Sequence, residues 1–271
     1  MGRIDERFES LRAEGRKALV IYLTAGDPDF DGALEAALAA VESGADVLEV
    51  GVPFSDPVAD GPVIQEAMCR ALDAGGGLSQ SLELVRRVRE KSSIPIVLFG
   101  YFNPLLWWGF EESARRIAEA GADGLLVVDL PPEEAGPFKA TAREHGLDWV
   151  SLAAPTSGSE RVASIAANAT GFLYLVSMTG VTGGALSDTR PVESMIEVAR
   201  GAANIPACVG FGVRDAESAK RLGAIADGVV VGSEIVRVLR RGVEEKVGAR
   251  YVGELVQNLR RALDEGTSAG E

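Results

Sequence analysis

Glu49 interrupts the apolar run Val47–Gly51, and Asp60 follows it in the proline-rich loop VPFSDPVADG. A strand residue of this kind points into a packed interior or a pocket. A bare carboxylate there is costly unless it is protonated, paired or put to chemical use. Two carboxylates converging on one strand end supply titratable groups for catalysis, and Glu49 is the first candidate. His145 is the only histidine; it falls at a predicted helix C-terminus before Gly146, where it complements the helix dipole. Its isolation leaves no second histidine for a metal cluster, and its position argues against a Ser-His-Asp triad. Cys69 and Cys208 lie in no metal-like or activating spacing and are expected to be small packed side chains, without a disulfide framework.

Such groups need a frame, and the chain repeats one theme: a β-branched apolar run, a turn rich in Gly, Pro or Asp, then an amphipathic stretch. Strands are predicted at 18–24, 47–51, 95–101, 124–129, 148–153, 172–177, 206–210 and 228–231. Helices are predicted at 30–42, 79–91, 111–120, 133–145, 159–167, 192–200, 215–222 and 249–263. Near-continuous apolar strands imply burial on both faces, so the expected fold is α/β, a (β/α)8 TIM barrel. An additional N-terminal helix over residues 4–14 places Ile4, Phe8 and Leu11 on one face, suited to plugging the lower end of the barrel. Short extra helices are expected at 62–72 and 233–239, with the GGG at 75–77 as a flexible break. No interdomain linker interrupts the pattern, so residues 1–271 read as one catalytic domain with a flexible tail at 266–271.

The 271 residues are 46% hydrophobic and 25% charged, enough for a full core. A net charge of −13 opposes binding to nucleic acid or anionic lipid through general electrostatics, so any phosphate must be gripped locally. The N-terminus lacks a signal-peptide core and no apolar run reaches membrane-spanning length, so a cytoplasmic location is expected. In a (β/α)8 barrel the active site lies at the strand C-termini, with a phosphate site built from the loops after strands seven and eight. Gly210 and Gly212 follow the seventh predicted strand, and Gly232 and Ser233 open a short helix after the eighth. Backbone N–H groups at such glycines and at a helix N-terminus suit a phosphate. Gly183 and Gly184, after the sixth strand, could close the third side. The run MTGVTGGALSDT from Met178 to Thr189 has the composition of a mobile active-site loop.

The motifs LTAGDPD, EVGVPFSDPVADGPVIQ, DGLLVVDLPPEE, SMTGVTG, VGFGV and VGSEIV stand in the order found in the tryptophan synthase α subunit family, which the chain resembles over essentially its whole length. The resemblance implies reversible retro-aldol cleavage of indole-3-glycerol phosphate to indole and glyceraldehyde 3-phosphate, with no metal or cofactor in this chain. It implies Glu49 as the general acid/base and Asp60 as the carboxylate facing the indole N–H. It also puts Tyr22, Tyr101 and Tyr174 in the substrate pocket, Asp129 near the active site, and Thr182 against Asp60 when the loop closes. This chain carries GGALSD after GVT where many relatives carry GAR, a departure at the closure contacts. A pyridoxal-phosphate β subunit is the implied partner, in an α2β2 heterotetramer, with Pro53, Asp56, Pro57, Asn103 and Pro104 as candidate contacts. A free-standing indole-3-glycerol phosphate lyase and a noncatalytic barrel binding phosphorylated ligands are the alternatives.

Overall fold

The computed structural model describes residues 2–176, 189–210 and 212–267. Its strands are β1 (Ala18–Thr24), β2 (Val47–Gly51), β3 (Ile96–Gly100), β4 (Gly124–Val127), β5 (Asp148–Trp149), β6 (Ser151–Ala153), β7 (Leu173–Val176), β8 (Ala207–Gly210) and β9 (Gly228–Val231). All pair in parallel in one sheet, in the order β5-β4-β3-β2-β1-β9-β8-β7-β6. The two edges of that order are halves of a single predicted strand: β5 bonds to β4, β6 bonds to β7, and Val150 lies between them. The chain therefore closes an eight-stave barrel, with its fifth stave divided where it switches neighbours.

Around the staves run α2 (Phe30–Glu42), α4 (Leu78–Arg89), α6 (Phe110–Ala120), α7 (Gly136–Glu144), α8 (Ser159–Ala167), α9 (Arg190–Ala202), α10 (Ala216–Ile225) and α12 (Arg250–Thr267). Two shells of apolar packing follow from strand alternation. Leu19, Ile21, Leu48, Val50, Ile96 and Leu98 point outward and bury against the helices. Val20, Val47, Val97, Leu126, Val150 and Phe172 point inward. The helix α1 (Arg3–Ala13) inserts Ile4, Phe8 and Leu11 into this inner shell, and the Phe8 ring lies 5.7 Å from that of Phe172. It thus closes the N-terminal end, as its amphipathic spacing predicts.

Several local expectations change. The extra helices α3 (Pro62–Asp73) and α11 (Ser233–Glu244) form, but α11 runs five residues beyond the predicted 239, where Gly242 continues the buried face begun by Ile235 and Leu239. A short helix, α5 (Phe102–Leu105), was not foreseen. The segment before α7 is a turn, with Glu134 and Ala135 N–H both donating to the Pro131 carbonyl, so α7 starts at Gly136 rather than 133. The GGG is not a flexible break: Gly75 N–H donates to Leu72 O at 2.9 Å and Gly76 N–H to Ala71 O at 2.7 Å, closing a hydrogen-bonded corner between α3 and α4. Residues 266–267 belong to α12 rather than to a tail, and 268–271 lie outside the described residues. Cys69 is exposed on α3, contrary to the packed role expected of it, whereas Cys208 is buried in the barrel interior; both are free thiols. His145 is the C-cap of α7, and its Nε2 lies 2.7 Å from Glu111 Oε1.

Candidate active site

Glu49 sits on β2 in register with Tyr22 of β1 and Val97 of β3, an inward-facing position one layer above Val47. It is 1% exposed, and among the described residues its Oε1 has no hydrogen-bond partner. Burial alone pushes its carboxyl up to about 8. At neutral pH the group is therefore mainly protonated and able to give a proton to whatever enters above it.

Asp60 approaches from the loop between β2 and α3. Its carboxylate accepts the Tyr101 hydroxyl proton at 2.6 Å, and Gln65 Nε2 donates to its backbone carbonyl at 2.9 Å and to that of Pro57 at 3.2 Å. Burial raises the Asp60 carboxyl while the Tyr101 hydrogen bond opposes that rise. Tyr101 itself is 1% exposed and also accepts the Ala59 N–H at 3.0 Å, so its phenolic proton is committed to Asp60. The two carboxyls thus differ in surroundings: Glu49 has an apolar floor, and Asp60 has a polar anchor.

Two tyrosines lean over the mouth in the same way. Tyr22 lies across Gly51 on the next stave and Tyr174 across Gly210, and a Cβ on either glycine would collide with the phenol. The absence of side chains at these positions leaves room for both hydroxyls beside the inner carboxyls. The Tyr22 hydroxyl lies 3.2 Å from Thr24 Oγ1, and burial holds both phenols well above their ordinary ionisation range. Apolar walls surround them. Tyr22 packs with Ala67 and Val236, against which Ile64 and Phe99 also pack, and Phe99 meets the Tyr22 ring edge-on at 5.3 Å. Phe99, Val128, Leu152 and Val176 are half-buried at the upper inward positions of successive staves. These four residues and Ile64 were missed from the sequence. The signal was present as period-two alternation, Val97/Phe99, Leu126/Val128 and Val150/Leu152, continuing one layer above the packed interior.

Beside the Tyr22 wall, Gly232 is the N-cap of α11 with Ser233 opening the helix, and a Cβ on Gly232 would lie 3.5 Å from Tyr22 and 3.7 Å from Ile64; Gly212 has a φ of +84° after β8. β8 and β9 are paired neighbours, and α11 follows β9 directly, so its first turn, whose N–H groups lack intrahelical acceptors, begins at the C-terminal end of the barrel. Thr182, Gly183 and Gly184 fall outside the described residues. Asp129 accepts the Phe102 N–H at 2.7 Å, tying the end of β4 to the start of α5. Of the expected partner contacts, Asp56 and Asn103 are exposed, Pro57 and Pro104 are half-buried, and Pro53 is buried, so Pro53 shapes the loop from beneath. Val58 and Trp107, each 83% exposed, and Leu106 extend that surface with apolar groups that the sequence reading did not single out.

The match to known proteins covers nearly the whole chain. The family model described as tryptophan synthase alpha chain matches residues 8–264. The chain is 48% identical over 266 residues to the tryptophan synthase alpha chain of Thioalkalivibrio sulfidiphilus, covering 97% of this chain and 100% of that one. It is 49% identical over 264 residues to that of Geobacter sulfurreducens, covering 97% and 99%. Among solved structures, tryptophan synthase subunit alpha from Legionella pneumophila superposes with a TM-score of 0.90 at 38% identity, over 98% of this chain and 99% of that one. A tryptophan synthase chain of Mycobacterium tuberculosis superposes at 0.89 and 36%, over 97% and 98%. With the barrel and these matches in agreement, the chain belongs to the tryptophan synthase alpha chain family, lyases that reversibly cleave indole-3-glycerol phosphate to indole and glyceraldehyde 3-phosphate in tryptophan biosynthesis.

Proposed function

We propose that Glu49 is the general acid/base of this cleavage and Asp60 its charge-stabilising partner. The observation that carries the reading is the buried, unpartnered Glu49 carboxyl, held near pKa 8 on the inner face of β2. Breaking the bond to indole C3 directly would expel a poor carbanion. Protonation of C3 by Glu49 turns the ring into an indoleninium-like electrophile whose positive charge extends to the ring nitrogen. Asp60, ionised and fixed by Tyr101, accepts the indole N–H and stabilises that charge. The glycerol hydroxyl then releases its proton to Glu49 as the carbon–carbon bond breaks, the carbonyl of glyceraldehyde 3-phosphate forms, and the electron pair returns to the indole ring. Glu49 is thereby reprotonated for the next turnover. General acid/base help of this kind is worth roughly 10² to 10⁴ in rate.

Tyr22, Tyr174 and the walls formed by Ile64, Phe99, Val128 and Leu152 suit the ring and glycerol portions of the substrate. Gly212, Gly232 and Ser233 suit its phosphate, with Gly183 and Gly184 completing the grip and Thr182 meeting Asp60 on closure. The chain acts as one domain in the cytoplasm and needs no cofactor of its own. Its partner is a pyridoxal-phosphate β subunit in an α2β2 complex, docked over Asp56, Pro57, Asn103 and Pro104 beside the exposed Val58 and Trp107. The deciding experiment measures indole release from indole-3-glycerol phosphate by the parent, Glu49→Gln and Asp60→Asn, with and without a cognate β subunit. Loss in both variants and stimulation of the parent are expected. Efficient turnover that no partner raises would identify a free-standing lyase, and binding without cleavage a noncatalytic barrel.

A further inference from the structure

We propose that Tyr101 is a positioning residue whose one hydroxyl sets the orientation of the Asp60 carboxylate and locks the β2–α3 loop to the start of α5. Asp60 rides on a loop, and a loop carboxylate that must meet a ring nitrogen needs its rotamer held. A misplacement of about 1 Å can cost on the order of 10² in rate. Two separate grips meet that need. Gln65 holds the backbone, donating to the carbonyls of Asp60 and Pro57. Tyr101 holds the side chain, at 2.6 Å from Asp60 Oδ2.

The phenol is well suited to this. A hydroxyl rotor is ordinarily free to choose its partner, but the Ala59 N–H occupies an acceptor site on the Tyr101 oxygen and favours aiming the proton at Asp60. The ring is fixed by burial and by Phe54, 5.1 Å away and tilted by 32°. Its backbone is fixed as the N-cap of α5, where the next residue, Phe102, donates its N–H to Asp129. An unbroken line of packed and hydrogen-bonded groups therefore runs from the end of β4, through Asp129, Phe102 and Tyr101, to Asp60. The expectation that Tyr101 binds substrate gives way to one in which it acts through its neighbour.

The inference rests on Asp60 being the carboxylate that faces the indole nitrogen. The other titratable groups near this pair are Glu49 of β2, Tyr22 of β1, Tyr174 of β7 and, beside Tyr101, Asp129 after β4. None of them replaces the donor that Tyr101 supplies. The test is Tyr101→Phe, which keeps the ring against Phe54, assayed for kcat and KM across pH in the full chain. The expected result is a kcat reduced about 10- to 100-fold with KM within about threefold. The acid limb of kcat should move to higher pH, because the carboxylate loses the hydrogen bond that favours its charged form. In an Asp60→Asn background the same substitution should cost far less, since its effect passes through that carboxylate. A fluorinated tyrosine placed at position 101 preserves the fold even if Tyr101→Phe does not. Its more acidic phenol donates more strongly and should move the acid limb to lower pH. An acid limb that stays in place in the folded variants, or an undiminished cost in the Asp60→Asn background, overturns the positioning role. Normal cleavage by Asp60→Asn alone would instead overturn the underlying reading of Asp60.

Discussion

The two ends of the barrel bury carboxylates in opposite ways. At the N-terminal end, Asp46 just before β2 accepts the Leu19 N–H at 2.7 Å and the guanidinium groups of Arg260, at 2.8 Å, and Arg7. Asp123 just before β4 repeats the design: it accepts the Ile96 N–H at 2.8 Å, Arg89 at 2.8 Å and Arg3 at 2.7 Å. Each is nearly inaccessible and each is fully engaged, tying one stave to its neighbour and to an outer helix. Three residues above Asp46 on the same stave, Glu49 is as deeply buried and has an Oε1 without a partner among the described residues. Burial by itself therefore marks neither structure nor chemistry. A carboxylate whose charge is matched from all sides stabilises the frame, whereas one held in an apolar setting is kept protonated and reactive.

Removing a matched carboxylate should have the largest effect on stability. Asp46→Ala leaves the buried Arg260 with Asp264 as its remaining carboxylate partner and deprives the Leu19 N–H of its acceptor, at an expected cost of about 3–5 kcal/mol. Denaturant melts should show this loss while kcat of the remaining folded fraction stays near the parent value. A selective loss of kcat with unchanged stability would contradict the division between the two ends.

Glu49→Gln should do the reverse. Cleavage should fall by at least about 10² with phosphate-ligand affinity retained. The same variant should gain stability with a particular pH dependence. The folded carboxyl, near 8, lies above its ordinary value of 4.5, so the folded state holds its proton more tightly than the unfolded chain does. The parent keeps that contribution in full below about 4.5 and loses it as pH rises towards 8. The advantage of the Gln variant should therefore grow over this window and level off above it, with an upper bound on the order of 5 kcal/mol. Melts at several pH values check this; an advantage independent of pH would mean that Glu49 is not held protonated.

A third comparison sets the proposed phosphate grip against the carboxyls. Gly232→Asp adds bulk and negative charge at the N-terminus of α11 and should weaken binding of glyceraldehyde 3-phosphate by about tenfold or more, while indole binding changes much less. Calorimetry with both ligands decides it, and equal affinity for the phosphorylated ligand in variant and parent would put the phosphate elsewhere. The smallest effect is expected at the outer rim. Asp56→Ala should lower β-subunit affinity or activation by a few fold and leave cleavage by the isolated chain at the parent level, because Asp56 is exposed and its carboxylate is engaged by the adjacent Ser55 hydroxyl. Identical activation curves on titrating the partner would remove Asp56 from the contact.

Much of this was legible in the chain. Alternating apolar strands and amphipathic helices announced the barrel, and the spacing of Ile4, Phe8 and Leu11 announced its plug, because local periodicity reports which face is buried. Glu49 stood out because an acid in an apolar strand is costly without a use, whereas Asp60 before Gly61 reads by itself as a turn residue and took its role from the family motif that contains it. The split of the fifth stave at Val150 was not legible, since nothing in a run of strand-forming residues says when it must change hydrogen-bond partners to close a barrel. Period-two alternation marks Phe99, Val128 and Leu152 as inward-facing but does not say that their layer borders the mouth, and Ile64 reaches Tyr22 from α3, a contact that no local spacing reports.

The sequence by itself thus determined the periodicity, the number of staves and the identity of the unusual acids, because these depend on residue type and near-neighbour spacing. Only the tertiary structure decided which acids are matched and which is left alone. Asp46 meets Arg260 and Asp123 meets Arg89 across long stretches of chain, while no such partner meets Glu49 Oε1 among the described residues. The protonation state on which the chemistry depends is a property of that three-dimensional pairing, since desolvation and charge act through space rather than along the chain.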